Sequence, residues 1–187
     1  THTRSSAASD VYKRQGEIWD DFVKWAISKN FGGAENLISI PGFVGAAPIQ
    51  NIGAYGVEIK DIFVSCSGYF LNTIEKKKFE LNDCKFSYRS SIFKKSLRNK
   101  FIITEVVLQL SKTNHKISKS YKSINDALNK KKIHNPTIKD IARIVSKIRE
   151  NKLPNPSLIG NSGSFFKNPI VSIELLNNCL LYTSDAA

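Results

Sequence analysis

The feature that most constrains the fold of this sequence is a run of small, apolar residues punctuated by glycine. The run PGFVGAAPIQNIGAYG occupies positions 41–56, and no charge lies between Glu35 and Glu58. Glycine adopts backbone conformations closed to other residues, so such a segment can bring its N–H groups close to a ligand. It lacks the lysine of a P-loop. It therefore predicts either a tight connection without a ligand or a site for a flat, partly apolar cofactor with a pyrophosphate.

The composition excludes or disfavours several classes of protein. With 187 residues, 41% hydrophobic and 24% charged, the chain can form a packed core. No apolar run reaches the roughly 20 residues that a membrane span needs. The net charge of +12 permits anionic partners, but the lysines come in short clusters without interleaved aromatic residues, which favours solvated surface over a nucleic-acid module. Three cysteines without a C-x-x-C pair disfavour a disulfide framework and a zinc site, and indicate a reducing compartment.

The two ends look foreign to the rest of the chain. Residues 1–15 are polar without a helical or strand period, residues 179–187 do not continue the preceding pattern, and Met is absent. Both ends resemble translated adapter sequence, and residues 1–15 contain no secretory signal. We expect both tails to be disordered and non-native, with the native sequence at 16–178.

Between the tails, hydrophobic spacing predicts an alternation of helices and strands. Thr137 is a candidate N-cap with Asp140 three residues later, and the prolines at 154 and 156 suggest a domain boundary near Leu153. The expected helices are 17–30, 123–130 and 137–150. The apolar stripes of the first and the last consist of Trp19, Phe22, Val23, Ala26 and Ile27, and of Ile138, Ile141, Ala142, Val145 and Ile148. The expected strands are 61–70 and 74–81, as a hairpin, and a buried strand at 101–110.

Two further segments combine polar side chains with turn-forming residues. In FSYRSSIFK, residues 86–94, Arg89 could act as a fixed cation for a developing anion. In residues 152–169, Ser164 follows a glycine and could deliver a proton. The sequence GNSGS lacks the last glycine of a nucleophile elbow and no histidine has a general-base context, so Ser–His hydrolysis is disfavoured. Taken singly, each segment could also be an ordinary surface loop.

Together, the three segments resemble the UDP-N-acetylenolpyruvoylglucosamine reductases, the MurB family of peptidoglycan precursor synthesis. The resemblance runs from about Gly16 to about Ser172. Its anchors are GAENLISIPGFVGAAPIQNIGAYG, CKFSYRSSIFK and NKLPNPSLIGNSGSFFKNP, in the family's order and spacing. It implies an α+β fold: at 16–152 the second part of a two-part FAD-binding domain of the PCMH/VAO-like type, and at 153–178 the start of a MurB-type C-terminal substrate-binding domain.

The resemblance also implies an activity. NADPH would reduce FAD, and the reduced flavin would reduce the enolpyruvyl ether of a UDP-sugar, giving UDP-N-acetylmuramate for the cell wall. The expected cofactors are FAD and NADPH, and the expected partner is this small-molecule substrate. Neither a metal, nor nucleic acid, nor a membrane is expected, and the protein would be a cytoplasmic monomer with a role in cell shape and division.

Site residues follow by the same resemblance. Ser164 aligns with the family's proton donor, and Arg89 with the arginine near the flavin and the substrate carboxylate. The substrate-contacting positions are Tyr88, Tyr121, Lys152 and Asn168. The FAD-binding positions, besides Arg89, are Gly42, Gly45, Ala46, Ala47, Gln50, Asn51, Ile52, Gly53, Ala54 and Gly56.

The chain departs from the family pattern in three ways. The family's first FAD-binding segment should lie upstream of Gly16, a late catalytic Glu should lie beyond Asn178, and Ala46 and Ala47 stand where many members have two serines. We therefore expect this chain alone to hold FAD weakly or not at all and not to turn over. The alternatives are another flavoprotein of the same fold and a basic nucleic-acid-binding module, which would show salt-sensitive retention of DNA or RNA.

Overall fold

The structure is a computed structural model, and it describes residues 8–14, 16–154, 158–160 and 167–180. The described residues form six strands and four α-helices. The strands are β1 (Ala8–Arg14), β2 (Gly53–Ala54), β3 (Val57–Glu58), β4 (Phe63–Phe70), β5 (Lys76–Glu80) and β6 (Phe101–Ser111). The helices are α1 (Trp19–Ser28), α2 (Lys122–Lys130), α3 (Ile138–Lys152) and α4 (Ile173–Leu180).

The main sheet is antiparallel and has the strand order β1-β6-β4-β5. β4 and β5 form the predicted hairpin, and the predicted buried strand is β6, whose Val106 and Leu108 are fully buried. The register between β4 and β6 shifts between Ser67 and Gly68. A Cβ at Gly68 would lie 1.9 Å from the carbonyl oxygen of Ile102, so the close strand approach there requires glycine.

The predicted disorder of residues 1–15 is wrong for residues 8–14. These residues form β1, which pairs along its whole length with β6. Its sequence includes Val11 and Tyr12, types that favour strands, and an unpaired edge of β6 offers hydrogen bonds to any extended segment that can reach it. At the other end, α4 runs to Leu180 and so crosses the expected tail boundary at 178/179.

The helices confirm the predicted apolar stripes. On α1, Trp19, Phe22, Val23 and Ala26 are buried, and the Trp19 indole N–H donates to the Leu37 carbonyl at 2.8 Å. α3 begins as predicted: Thr137 and Asp140 form a reciprocal capping box. α3 packs on α2 and on residues 35–37, so the helices anchor the segment that enters the glycine-rich run.

Within the ranges that the structure describes, no helix is both long and apolar enough to cross a membrane.

Candidate functional site

The glycine-rich run folds as one short helical turn followed by a miniature hairpin. Residues Val44–Ala46 form the turn, and β2 pairs with β3 across the two residues Tyr55 and Gly56, whose φ angles are 50° and 80°. Positive φ at both central positions is the signature of a tight I′ hairpin turn, which accounts for Gly56. The run thus presents a strongly curved backbone of small side chains.

Arg89 fixes this hairpin from the second segment. Its Nη2 donates to the carbonyl of Gly53, 36 residues earlier in the chain. A Cβ at Gly53 would lie 2.6 Å from Nη1 of Arg89, so only glycine leaves room for the guanidinium at this distance. Lys94 Nζ in turn donates to the Arg89 carbonyl at 3.3 Å. The structure therefore brings together two of the predicted site residues, Arg89 and Gly53.

Asn51 stabilises the β2–β3 hairpin through hydrogen bonds of its buried side chain. Its side chain is fully buried, and its Nδ2 donates to Glu58 Oε2 at 3.0 Å and to the Ser87 carbonyl at 3.1 Å. Its Oδ1 accepts from the Lys60 amide at 3.2 Å. The side chain of Asn51 is thus used within the protein, and any contact of this position with a cofactor falls to its backbone, as the resemblance implies.

Ser91 is a site-supporting residue that the sequence analysis did not single out. Its buried hydroxyl donates to the Ile49 carbonyl at 2.7 Å and accepts from the Phe93 amide at 3.1 Å. Together with Arg89 and Asn51, it joins the second segment to the glycine-rich run at three points. A serine in a loop gives no periodic signal, so only its place in the segment 86–94 pointed to it.

Tyr121 reaches the same hairpin from the segment before α2. Its ring packs edge-on against Tyr55 with 5.2 Å between centroids, and its side chain is half exposed. The Asn36 side chain donates to the carbonyls of Tyr55 and Ser118 at 3.0 and 3.1 Å, tying the turn to residues 118–121. Burial raises the pKa of the Tyr55 hydroxyl, so Tyr55 remains a neutral donor.

The third segment meets the second at Tyr88. Lys167 Nζ lies 4.9 Å from the centroid of the Tyr88 ring, and Arg89 Cζ lies 5.5 Å from the same centroid. Lys152, the last residue of α3, and Asn168 are both exposed. Ser164 lies outside the described residues. The positions assigned to substrate, cofactor and proton transfer remain predictions from the sequence.

A groove runs along the outer side of the glycine-rich run. Its volume is about 440 Å³, and its walls are predominantly apolar. It includes the predicted cofactor positions Gly45 and Ala46, and its other lining residues are Gly16, Phe43, Ile49, Phe101, Ile102 and Ile103. This volume lies within the range of small-molecule sites, and an apolar lining suits an aromatic ring system.

A larger groove of about 700 Å³ lies between α1 and α3, lined by Lys24, Ile27, Ala142 and Lys147 among others. None of the predicted site residues lines it. In the described part of the chain, no group of three or more His, Cys, Asp or Glu residues could hold a metal ion. The lysine clusters at 76–78, 94–95 and 130–132 are exposed, in agreement with their interpretation as solvated surface.

The second segment thus contacts the first through Arg89 and the third through Tyr88. The whole chain was then compared with known proteins. No protein-family model matches the chain. The UDP-N-acetylenolpyruvoylglucosamine reductase of Flavobacterium johnsoniae is 54% identical over 161 residues, which are 86% of this chain and 48% of that protein. The protein of that name from Pseudomonas aeruginosa is 43% identical over 169 residues, 89% of this chain and 49% of that protein.

The fold is also similar to that of a solved structure. The crystal structure of UDP-N-acetylenolpyruvylglucosamine reductase (MurB) from Thermus caldophilus aligns with a TM-score of 0.59 at 20% identity, over 90% of this chain and 53% of that one. The predicted resemblance and the predicted α+β fold are both confirmed. The chain spans about half the length of the curated relatives that it matches.

Proposed function

We propose that this chain, a relative of the UDP-N-acetylenolpyruvoylglucosamine reductases, carries the glycine-rich cofactor loop and part of the substrate site of such a reductase. The reaction would be the NADPH- and FAD-dependent reduction of UDP-N-acetylglucosamine enolpyruvate to UDP-N-acetylmuramate. The observation that carries the proposal is the contact of Arg89 with Gly53, because it joins the two motifs that the resemblance assigns to flavin and substrate.

The glycine-rich run fits a flavin on physical grounds. The groove beside Gly45 and Ala46 is apolar and of about 440 Å³, which suits an aromatic ring, while the curved backbone of small residues suits close approach of a pyrophosphate. When bound, FAD would supply the chemistry of hydride transfer from NADPH to the substrate. Residues 42–56 would hold it through backbone amides, since Ala46 and Ala47 offer no hydroxyl.

Arg89 would bind and stabilise negative charge. The bond from its guanidinium to the Gly53 carbonyl uses one of its five N–H donors and sets its position. The remaining donors could hold the substrate carboxylate. As charge develops on that group during reduction, a preorganised cation favours the transition state over the ground state.

Ser164 would give the proton that the α-carbon of the enolpyruvyl group takes up. A hydroxyl is a weak acid, so its donation requires cations and hydrogen bonds around it. Lys167, three positions later in the sequence, lies over the ring beside Arg89 and would supply such a charge. Tyr88, Tyr121, Lys152 and Asn168 would contact the substrate, in a cytoplasmic monomeric enzyme of cell-wall synthesis.

A chimera tests this proposal. The 161 matched residues of this chain would replace their counterparts in the Flavobacterium johnsoniae relative. We expect the purified chimera to carry bound flavin, seen by its visible absorbance, and to oxidise NADPH only when UDP-N-acetylglucosamine enolpyruvate is present. The same chimera with Ser164→Ala should keep the flavin and lose turnover. A folded chimera without flavin, or with turnover unchanged by Ser164→Ala, would reject the proposal.

A further inference from the structure

The buried side chain of Asn36 joins two segments that lie far apart in the sequence. Its Nδ2 donates to the carbonyl of Tyr55, in the turn of the β2–β3 hairpin, at 3.0 Å, and to the carbonyl of Ser118 at 3.1 Å. Asn36 is only 1% exposed, so both bonds are shielded from water. The two N–H donors of the amide therefore hold the hairpin turn against the connection that follows β6.

The short 3₁₀ turn that carries Asn36 is itself held on both sides. The Trp19 indole N–H donates to the Leu37 carbonyl at 2.8 Å, and the Gly33 amide donates to Glu35 Oε2 at 2.6 Å. The turn also packs on α3. Because the backbone on either side of Asn36 is fixed, its side chain offers both donors from a set position.

The connection that Asn36 reaches ends at Tyr121. Residues 112–120, between β6 and α2, form neither a helix nor a strand, so their path depends on contacts such as the bond from Asn36 to Ser118. Tyr121 directly precedes α2, and its ring packs edge-on against the ring of Tyr55 with 5.2 Å between centroids. Asn36 thus fixes both members of this aromatic pair, directly at Tyr55 and three residues before Tyr121.

We infer that Asn36 is a positioning residue that orients the ring of Tyr121 for contact with the substrate. Tyr121 is half exposed, so its ring has surface to offer a ligand, and without the bridge the ring would have to be ordered at each binding event. The effect of Asn36 should therefore appear in the binding of substrate. That Tyr121 contacts a UDP-sugar rests on the proposed function; that Asn36 orients its ring does not.

The arrangement of the rings is tested on the full 187-residue chain. The ring signals of ¹³C-labelled tyrosines are followed by NMR, because a ring packed edge-on against another is shifted by its neighbour, and the Tyr121 signal is assigned through Tyr121→Leu. Asn36→Leu removes the two donors at nearly the same volume, and Asn36→Ala removes them and leaves space, so that a packing defect in one variant leaves the other to decide. The matched control is Asn129→Ala, at an exposed asparagine on α2. We expect both Asn36 variants to move the Tyr121 signal toward that of free tyrosine, and the control to leave it in place.

The role in substrate binding is tested by steady-state kinetics of the chimera. We expect both Asn36 variants to keep the bound flavin, to raise KM for UDP-N-acetylglucosamine enolpyruvate roughly threefold to tenfold, as the cost of ordering one side chain implies, and to change kcat less than about twofold. In a Tyr121→Ala background, the same substitutions should change KM less than about twofold, because the ring that Asn36 orients is gone. Asn129→Ala should leave both constants unchanged.

Two results would overturn the inference. One is a Tyr121 ring signal that neither Asn36 variant moves. The other is a KM for the UDP-sugar that stays unchanged, or that rises equally with and without the Tyr121 ring, since Asn36 would then only stabilise the fold. Failure of the proposed function is distinguishable, because it appears in the unsubstituted chimera as absent flavin or absent turnover. That outcome would reject the reductase and the substrate role of Tyr121, while the NMR signal still decides whether Asn36 orients the ring.

Discussion

Replacing Gly53 by alanine should disturb the site and the stability of the chain together. The added Cβ would lie 2.6 Å from Nη1 of Arg89, 2.9 Å from Cγ of Glu58 and 2.9 Å from the carbonyl oxygen of Val57. Distances this short require atoms to move. The guanidinium can swing away most easily, and it then loses its bond to the Gly53 carbonyl.

The magnitude follows from two contributions. Overpacking at a confined position costs roughly 1–3 kcal/mol, and losing a hydrogen bond from a charged donor costs roughly 1.5–3 kcal/mol. Because moving Arg89 relieves part of the overlap, the two are not additive, and we expect a total of roughly 2–4 kcal/mol. For a chain of this size, that corresponds to a fall in Tm of roughly 4–16 °C.

Thermal unfolding followed by circular dichroism measures this change. Gly16→Ala is the control, because no atom lies within 4 Å of a Cβ at Gly16, and its Tm should stay close to wild type. In an Arg89→Ala background, Gly53→Ala should cost at least about 1 kcal/mol less than in the wild type, since the nearest clash is gone. A wild-type Tm for Gly53→Ala, or an equal cost in both backgrounds, would refute the reasoning.

Three further predictions concern the supports of the site and the core. Asn51→Ala should lower the free energy of unfolding by roughly 2–4 kcal/mol, because the fully buried Asn51 side chain loses three part-buried hydrogen bonds. Urea unfolding measures this, and a loss below ~0.5 kcal/mol would contradict it. Hydrogen bonds from Thr137 lower the pKa of Asp140. The ionised carboxylate therefore stabilises α3 at pH values above the usual pKa range of an aspartate, and this stabilisation disappears as the pH falls through the folded-state pKa. Asp140→Asn should therefore lower Tm near neutral pH and converge with wild type in strong acid, whereas a pH-independent difference would show that another interaction is responsible. A hydrogen bond with Cys84 and burial both raise the pKa of the Cys66 thiol. A thiol reagent should therefore label only Cys179 in the folded chain and all three cysteines once urea is added. Rapid labelling of the buried pair, Cys66 and Cys84, in the folded chain would show that the core is open.

The elements of the fold were predictable where a local pattern carries them. The stripe on α1, the hairpin of β4 and β5 and the capping residues of α3 each depend on residues close together in the sequence, and the structure confirms all three. The pairing of β1 with β6 was not predictable in this way. It depends on a free strand edge far along the chain, which no local period in residues 8–14 reports.

The site was predictable as a set of segments but not as a set of contacts. The glycine-rich run indicates that another group approaches its backbone closely, yet its sequence cannot show that this group is the guanidinium of Arg89. That contact depends on how the chain folds back over the 36 residues that separate Gly53 from Arg89. The same holds for Lys167 on Tyr88. Asn36 and Ser91 lie within the quoted segments, but their contacts were not predictable, since a single polar residue in a loop has many possible partners.

The measurement that tests the central claim most directly is hydrogen–deuterium exchange on the chimera, with FAD bound and after its removal. If the glycine-rich run is the cofactor loop, binding should slow exchange in residues 42–56 and 87–91 and leave the groove between α1 and α3 unchanged. Protection around Ile27 and Ala142, with none in residues 42–56, would place the cofactor elsewhere and contradict the account.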